Sequence, residues 1–208
     1  GHPTVGALPR GQFPADVANL QLACASDDAE CATPFLYTLD GDTFAVWAVE
    51  ADLAEQLTSF QINGAVLLLA GDRAFVGSDA GHVSIVDLSE PSAPRLLGMM
   101  GNGAAVRGMV VDGNLLIIGL ELIAAGNSDS TSRTVGQLRV WNVADPQNPQ
   151  SLGSVITPAP FQVMVQQVRQ NGEPHRIVTA GESLTFFDGD SDAPSTGETQ
   201  AITLTVAA

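Results

Sequence analysis

Apolar and polar positions alternate in short runs along most of the chain, and one alternating phrase recurs: TFAVWAV at 43–49, HVSIVDL at 82–88, QLRVWNV at 137–143 and SLTFFDG at 183–189. Successive starts lie 39, 55 and 46 residues apart. A period of about 40 residues built from β-formers marks stacked four-stranded sheets. Taking the phrase as the third strand of each unit divides the chain into four units, 17–62, 65–100, 106–156 and 161–208, behind an N-terminal tail or linker of residues 1–16. The second unit reads AVLLLA, AFVGS, HVSIVDL and RLLGMM, with turns at Gly71-Asp72 and Asp79-Ala80-Gly81. The third reads VRGMVVD, LLIIGLE, QLRVWNV and QSLGSV. Runs such as VLLLA and LLIIG are apolar throughout, which predicts burial on both faces. The segment EADLAEQL, 50–57, reads as a turn with a helical twist.

The connection after the repeated phrase is LSEPSAP, Leu88 to Pro94, in the second unit and VADPQNP, Val143 to Pro149, in the third. Two prolines three residues apart fix φ and cannot donate, so the chain leaves the strand by a stiff bend. The phrases VSIVDLSEPSAPRLLG and LRVWNVADPQNPQSLG resemble the LVIVD repeat, a family of bacterial surface and secreted β-propeller proteins. The match is good over 65–156 and degenerate in the outer units, where EADLAE and DGDSDAPSTGETQ replace the proline pair. GQLRVWNV also looks like the third strand of a WD repeat, but the proline pairs and the lack of a Gly-His opening each repeat argue against that family.

The expected fold is therefore all-β, a β-propeller of four-stranded antiparallel blades with four blades in this chain. The resemblance implies more than four blades. Three arrangements follow: a small closed ring, a ring shared by two chains, or a piece of a larger ring. An open arrangement would leave blade edges seeking a protein partner or a second copy.

The chain has 208 residues, 45% of them hydrophobic but only 5% aromatic, so aliphatic side chains must fill the core. Its formal net charge is −15, and all eight basic residues are Arg. That charge repels phosphate backbones and anionic lipid, which argues against nucleic acid and membrane partners. No run approaches the ~20 apolar residues of a membrane span. The opening GHPTVGALPRG lacks the pattern of a signal peptide, so the chain is expected to be cytoplasmic, already processed, or a piece. Cys24 and Cys31, in CASDDAEC, stand at the two stems of one predicted hairpin loop. A disulfide there is expected, and with it an extracellular, cell-surface or periplasmic setting.

Two loops carry candidate chemistry. ELIAAGNSDSTSRTVG, Glu121 to Gly136, is an insertion where the second unit has a tight turn. Long loops on rigid scaffolds are where recognition develops, making Asn127, Asp129, Ser130, Thr131 and Arg133 the candidate binding residues; the plainer reading is a solvated loop. Asp188, Asp190 and Asp192 resemble the opening of a calcium loop, so calcium is the one cofactor the sequence suggests. Ala193 stands where such loops need Gly and Glu198 falls one residue short, which favours an acidic turn. Trp47 and Trp141 share one position of the repeated strand and read as packing between sheets.

The innermost strands, VLLLA, GMVVD and VMVQQ, bring Asp112, Gln166 and Gln167 but no cluster of His, Glu and Asp. No nucleophile elbow or phosphate loop is present. The expectation is a non-catalytic secreted or cell-surface module for binding or assembly. The alternative is a hydrolase or lactonase-like propeller with a divalent metal in its channel.

Overall fold

The computed structural model describes residues 19–24, 34–50, 53–124, 133–157, 161–167, 176–181, 184–188 and 201–204. These form strands β1 (Asn19–Cys24), β2 (Pro34–Asp40), β3 (Thr43–Glu50), β4 (Leu53–Gln61), β5 (Val66–Ala70), β6 (Arg73–Gly77), β7 (His82–Asp87) and β8 (Arg95–Gly101). They continue as β9 (Ala105–Asp112), β10 (Leu115–Ala124), β11 (Arg133–Asn142), β12 (Gln150–Thr157), β13 (Phe161–Gln167), β14 (Arg176–Gly181), β15 (Leu184–Asp188) and β16 (Ala201–Leu204). Each consecutive group of four makes its own sheet in sequence order. The protein is all-β, and every strand pair with a defined register is antiparallel.

The chain divides into two compact units, Gly1–Val76 with Ser84–Leu97, and Gly77–Val83 with Gly98–Ala208. In the first, Tyr37, Leu39, Phe44, Val46, Leu67 and Val76 belong to one buried apolar cluster. The Phe44 ring lies 5.3 Å from Phe60 and 6.1 Å from Tyr37 in tilted contacts. The Gln21 side chain fills the gap between β1 and β5 as a strand would, donating to the Leu67 carbonyl at 2.7 Å and accepting from the Leu69 amide at 2.9 Å. In the second unit Leu116, Ile117, Ile118 and Leu120 of β10 are all buried, which requires cover on both faces of that strand.

The turns follow from local chemistry. Gly41, Gly71 and Gly113 adopt φ of +52°, +56° and +56°, the left-handed region that a tight hairpin needs and glycine enters without cost. The carbonyl beside each glycine is then closed by a distant amide: Leu88 donates to Asp72 at 2.7 Å, Val143 to Asn114 at 2.8 Å and Ile62 to Asp42 at 2.7 Å. The proline bends begin with matching side-chain turns, the Ser89 amide donating to Asp87 Oδ1 at 3.0 Å and the Ala144 amide to Asn142 Oδ1 at 2.9 Å. They continue with Ala93 donating to the Glu90 carbonyl and Asn148 to that of Asp145.

Two expectations change. The segment 50–57 is not a helical turn: β3 runs to Glu50, which pairs with Leu53 at the start of β4. The insertion 121–136 is not wholly a loop either. Glu121, Leu122, Ile123 and Ala124 pair with Gly136, Val135, Thr134 and Arg133, so the hairpin is lengthened and only residues 125–132 separate its strands. Strand-forming residues on both sides of the polar tip, LELIA and RTVG, account for this.

Candidate functional site

The best-defined polar site among the described residues is the base of the β10–β11 hairpin. It starts from the turn between β6 and β7. The Ser78 amide donates to the His82 carbonyl at 2.9 Å, the Gly81 amide to the Ser78 carbonyl at 3.1 Å, and the His82 amide to Ser78 Oγ at 3.0 Å. Gly81, at φ +83°, has the backbone of Ala104 where a Cβ would stand. The segment leading into β9 is stitched to this turn by Asn102 donating to the Gly81 carbonyl at 2.6 Å and Val106 to that of Ser78 at 3.1 Å.

Arg107 follows at once, and its place in the sheet is irregular. The β9–β10 register passes from Gly119↔Gly108 to Leu120↔Val106, leaving Arg107 as the extra residue of a bulge. Bulges re-aim side chains. Here the guanidinium bridges two carboxylates: Nε donates to Glu121 Oε2 at 2.7 Å and Nη1 to Asp79 Oδ1. The Glu121 hydrogen bond, and then that of Asp79, raise the already high pKa of Arg107. Glu121 is where the hairpin extends beyond the register shared with β9, ending at Ala105. One cation thus ties the lengthened hairpin to the β6–β7 turn.

A second network lies behind it on one face of β11. Arg139 donates to the Asn102 carbonyl at 3.1 Å and to Gln137 Oε1 at 3.3 Å, while Gln137 donates to Ser154 Oγ at 3.1 Å. Trp141 Nε1 donates to Asn102 Oδ1 at 3.0 Å. Trp141 therefore anchors the connection from β8 by a hydrogen bond, and Trp47 donates to Thr38 Oγ1 at 3.1 Å within its own sheet.

Of the candidate binding residues, Asn127, Asp129, Ser130 and Thr131 lie outside the described residues, and Arg133 opens β11 opposite Ala124. Asp188 ends β15, whereas Asp190 and Asp192 lie outside the described residues, so no calcium geometry is defined. Cys24 ends β1 opposite Pro34, and Cys31 lies outside the described residues. Among the described residues no three His, Cys, Asp or Glu side chains converge on a metal position. Nor, among them, is any helix long and apolar enough to cross a membrane. Asp79 and Glu121 entered the sequence reading only as a turn residue and the start of the insertion, and Arg107 not at all. Arg107 sits in an apolar strand, AVRGMVVD, as its one charged residue before the final Asp, which is the signal that points to it.

No protein-family model matches the sequence, and a search of curated proteins gives no match. Among solved structures, that of Saccharomyces cerevisiae Sqt1 is similar with a TM-score of 0.57 at 10% identity, over 76% of this chain and 43% of that one. The chain thus covers less than half the length of that protein. At this identity the likeness concerns fold alone. The computationally designed Ika4 protein gives a TM-score of 0.42 at 13% identity, over 83% of this chain and 86% of that one. BBS1N, in its complex with ARL6DN, gives 0.41 at 11%, over 86% and 68% respectively. Neither carries an argument about this protein.

Proposed function

We propose that the chain is a β-propeller binding module of the LVIVD type, four blades of a closed or larger ring, that works outside the cytoplasm by presenting loops from a stiff support. Each run of four strands forms one sheet, and the first strands of neighbouring sheets lie side by side, β1 with β5 and β9 with β13, as blades around a common axis would place them. A Cys24–Cys31 disulfide would close the loop between β1 and β2 and suits an oxidising compartment.

The observation that carries the binding reading is the Arg107 bridge. A hairpin lengthened by four residue pairs, with its base fixed to the adjacent turn by one guanidinium, offers a recognition tip at reduced ordering cost. The test replaces residues 122–135 with the Asp79-Ala80-Gly81 turn and compares both proteins against a random peptide library on phage. Peptides enriched on the full chain and lost on the trimmed one support the reading. Enriched peptides that hold both proteins equally overturn it.

A further inference from the structure

Of the outer strands β4, β8 and β12, all of which leave apolar side chains in solvent, Leu57 at 37% in β4 and Leu96 and Met99 at 59% each in β8, β12 alone is exposed at every described position. Every described residue from Gln150 to Ile156 is exposed, and three are large and apolar: Leu152 at 47%, Val155 at 39% and Ile156 at 57%. In β8, by contrast, Met100 is buried and Gly98 is covered by the Pro146 carbonyl. Among the described residues nothing lies within 4 Å of where a Cβ would stand on Gly153, the glycine at the matching place of β12. The β11–β12 register skips Leu152, the bulged residue, and runs unbroken from Gly153 to Thr157. Among the described residues no strand pairs with the other edge of that stretch, which presents backbone donors and acceptors.

Charge says what can lie there. From Pro146 to Val168 the sequence holds no ionisable side chain, although the chain carries 23 acids and a net charge of −15. The other outer strands of the well-described sheets each carry a charge, Glu55 in β4 and Arg95 in β8. A basic partner, which the acidic surface attracts, finds no carboxylate on β12. Two copies of an acidic chain, which repel elsewhere, meet no like charge there. A strand pairing with itself about a two-fold axis also satisfies both edges at once.

We propose that the Gly153–Thr157 stretch of β12 pairs antiparallel with the same stretch of a second copy, joining two third sheets into one and burying Val155 against its mate and Ile156 across from Ser154. This deepens the assembly side of the binding-module reading and rests on it. The experiment is light scattering on the full chain across a concentration series, with hydrogen exchange read strand by strand. The wild type should pass from 21.5 kDa to twice that mass, with amides of 154–157 slowing as dimer forms. Ile156→Asp should weaken dimerisation at least about ten-fold, while Leu96→Asp, on the exposed part of β8, leaves it unchanged; both variants should keep the wild-type circular dichroism. A mass fixed at 21.5 kDa, a dimer indifferent to Ile156→Asp, or protection appearing elsewhere than β12 overturns the proposal. Hairpin-dependent peptide capture is read separately, so a monomer that still captures peptides would sink this inference and leave the binding function standing.

Discussion

The carbonyl oxygen of Pro146 lies against Gly98 so closely that the place of a Cβ is already taken. The proline bend after β11 is thereby seated on β8, and the neighbour that would have to move is backbone rather than a flexible side-chain end. Gly98→Ala is expected to cost about 1–3 kcal/mol through overpacking. Gly101→Ala, three residues on in the same strand with open space around it, should change stability by no more than about 0.5 kcal/mol. Urea unfolding of the pair decides the matter, since equal midpoints would mean that the bend is not held where the structure places it.

Arg107 should matter more to the hairpin than to the whole molecule. It is about one-third exposed and its partner Asp79 is 68% exposed, so solvent screens the bridge and its net contribution should be on the order of 1 kcal/mol. Arg107→Met keeps the apolar stem and removes both bonds. The expected result is a small loss in global stability, reduced further at high salt, with faster hydrogen exchange concentrated in Glu121–Ala124 and Arg133–Gly136. Uniform acceleration across all sheets would show that the bridge does not act on the hairpin.

The strands were legible because period-two alternation and glycine turns are local signals, as in HVSIVD after Asp79-Ala80-Gly81. The geometry of the candidate site was less so. Asp79, Arg107 and Glu121 come from three separate segments, and only the register slip at Gly119/Leu120 aims Arg107 between the carboxylates. Alternation cannot reveal a bulge whose residues still read apolar-polar. The first sheet shows a further limit. Its Gly41 turn joins the second and third strands, whereas Gly71 and Gly113 join first and second, yet Trp47 and Trp141 border the same bulge against the fourth strand. Aligning the repeat by one phrase therefore hides a shift in the turn.

Asp87 gives the protein a defined acid response. Hydrogen bonds from Ser89, by hydroxyl and amide, and then the Arg95 guanidinium at 2.6 Å hold its carboxyl down at about 2, below the usual 3.8. A depressed folded-state pKa stabilises the fold above the unfolded value, and that contribution disappears as pH falls from about 4 through 2. Asn142, at the matching place in the next unit, makes the same amide turn without a charge. Asp87→Asn should therefore keep the bend and lose part of the acid dependence. The measurement is the urea midpoint at pH 5 and at pH 2.5. The variant's midpoint should fall less than the wild type's over that interval, and parallel falls would remove Asp87 from the account.

Asn102 is 4% exposed, and its Oδ1 accepts from Trp141 while its Nδ2 has no partner among the described residues. The indole donor fixes which end of the amide is oxygen, so the orphaned donor is a consequence of the Trp141 bond and not an arbitrary choice. An unpaired buried amide costs about 1–3 kcal/mol unless water reaches it. Trp141→Phe removes the reason for that orientation: the amide can turn, and Oδ1 loses its donor. The fold should lose about 1–2 kcal/mol, the net hydrogen bond together with some packing. Asn102→Ala exposes the other side of the same relationship by leaving the indole N–H unpaired beside Arg139. If the two residues act as one unit, the double variant should be less destabilised than the sum of the singles by at least about 0.5 kcal/mol. Strict additivity in that cycle would mean that Trp141 holds the connection from β8 by packing alone.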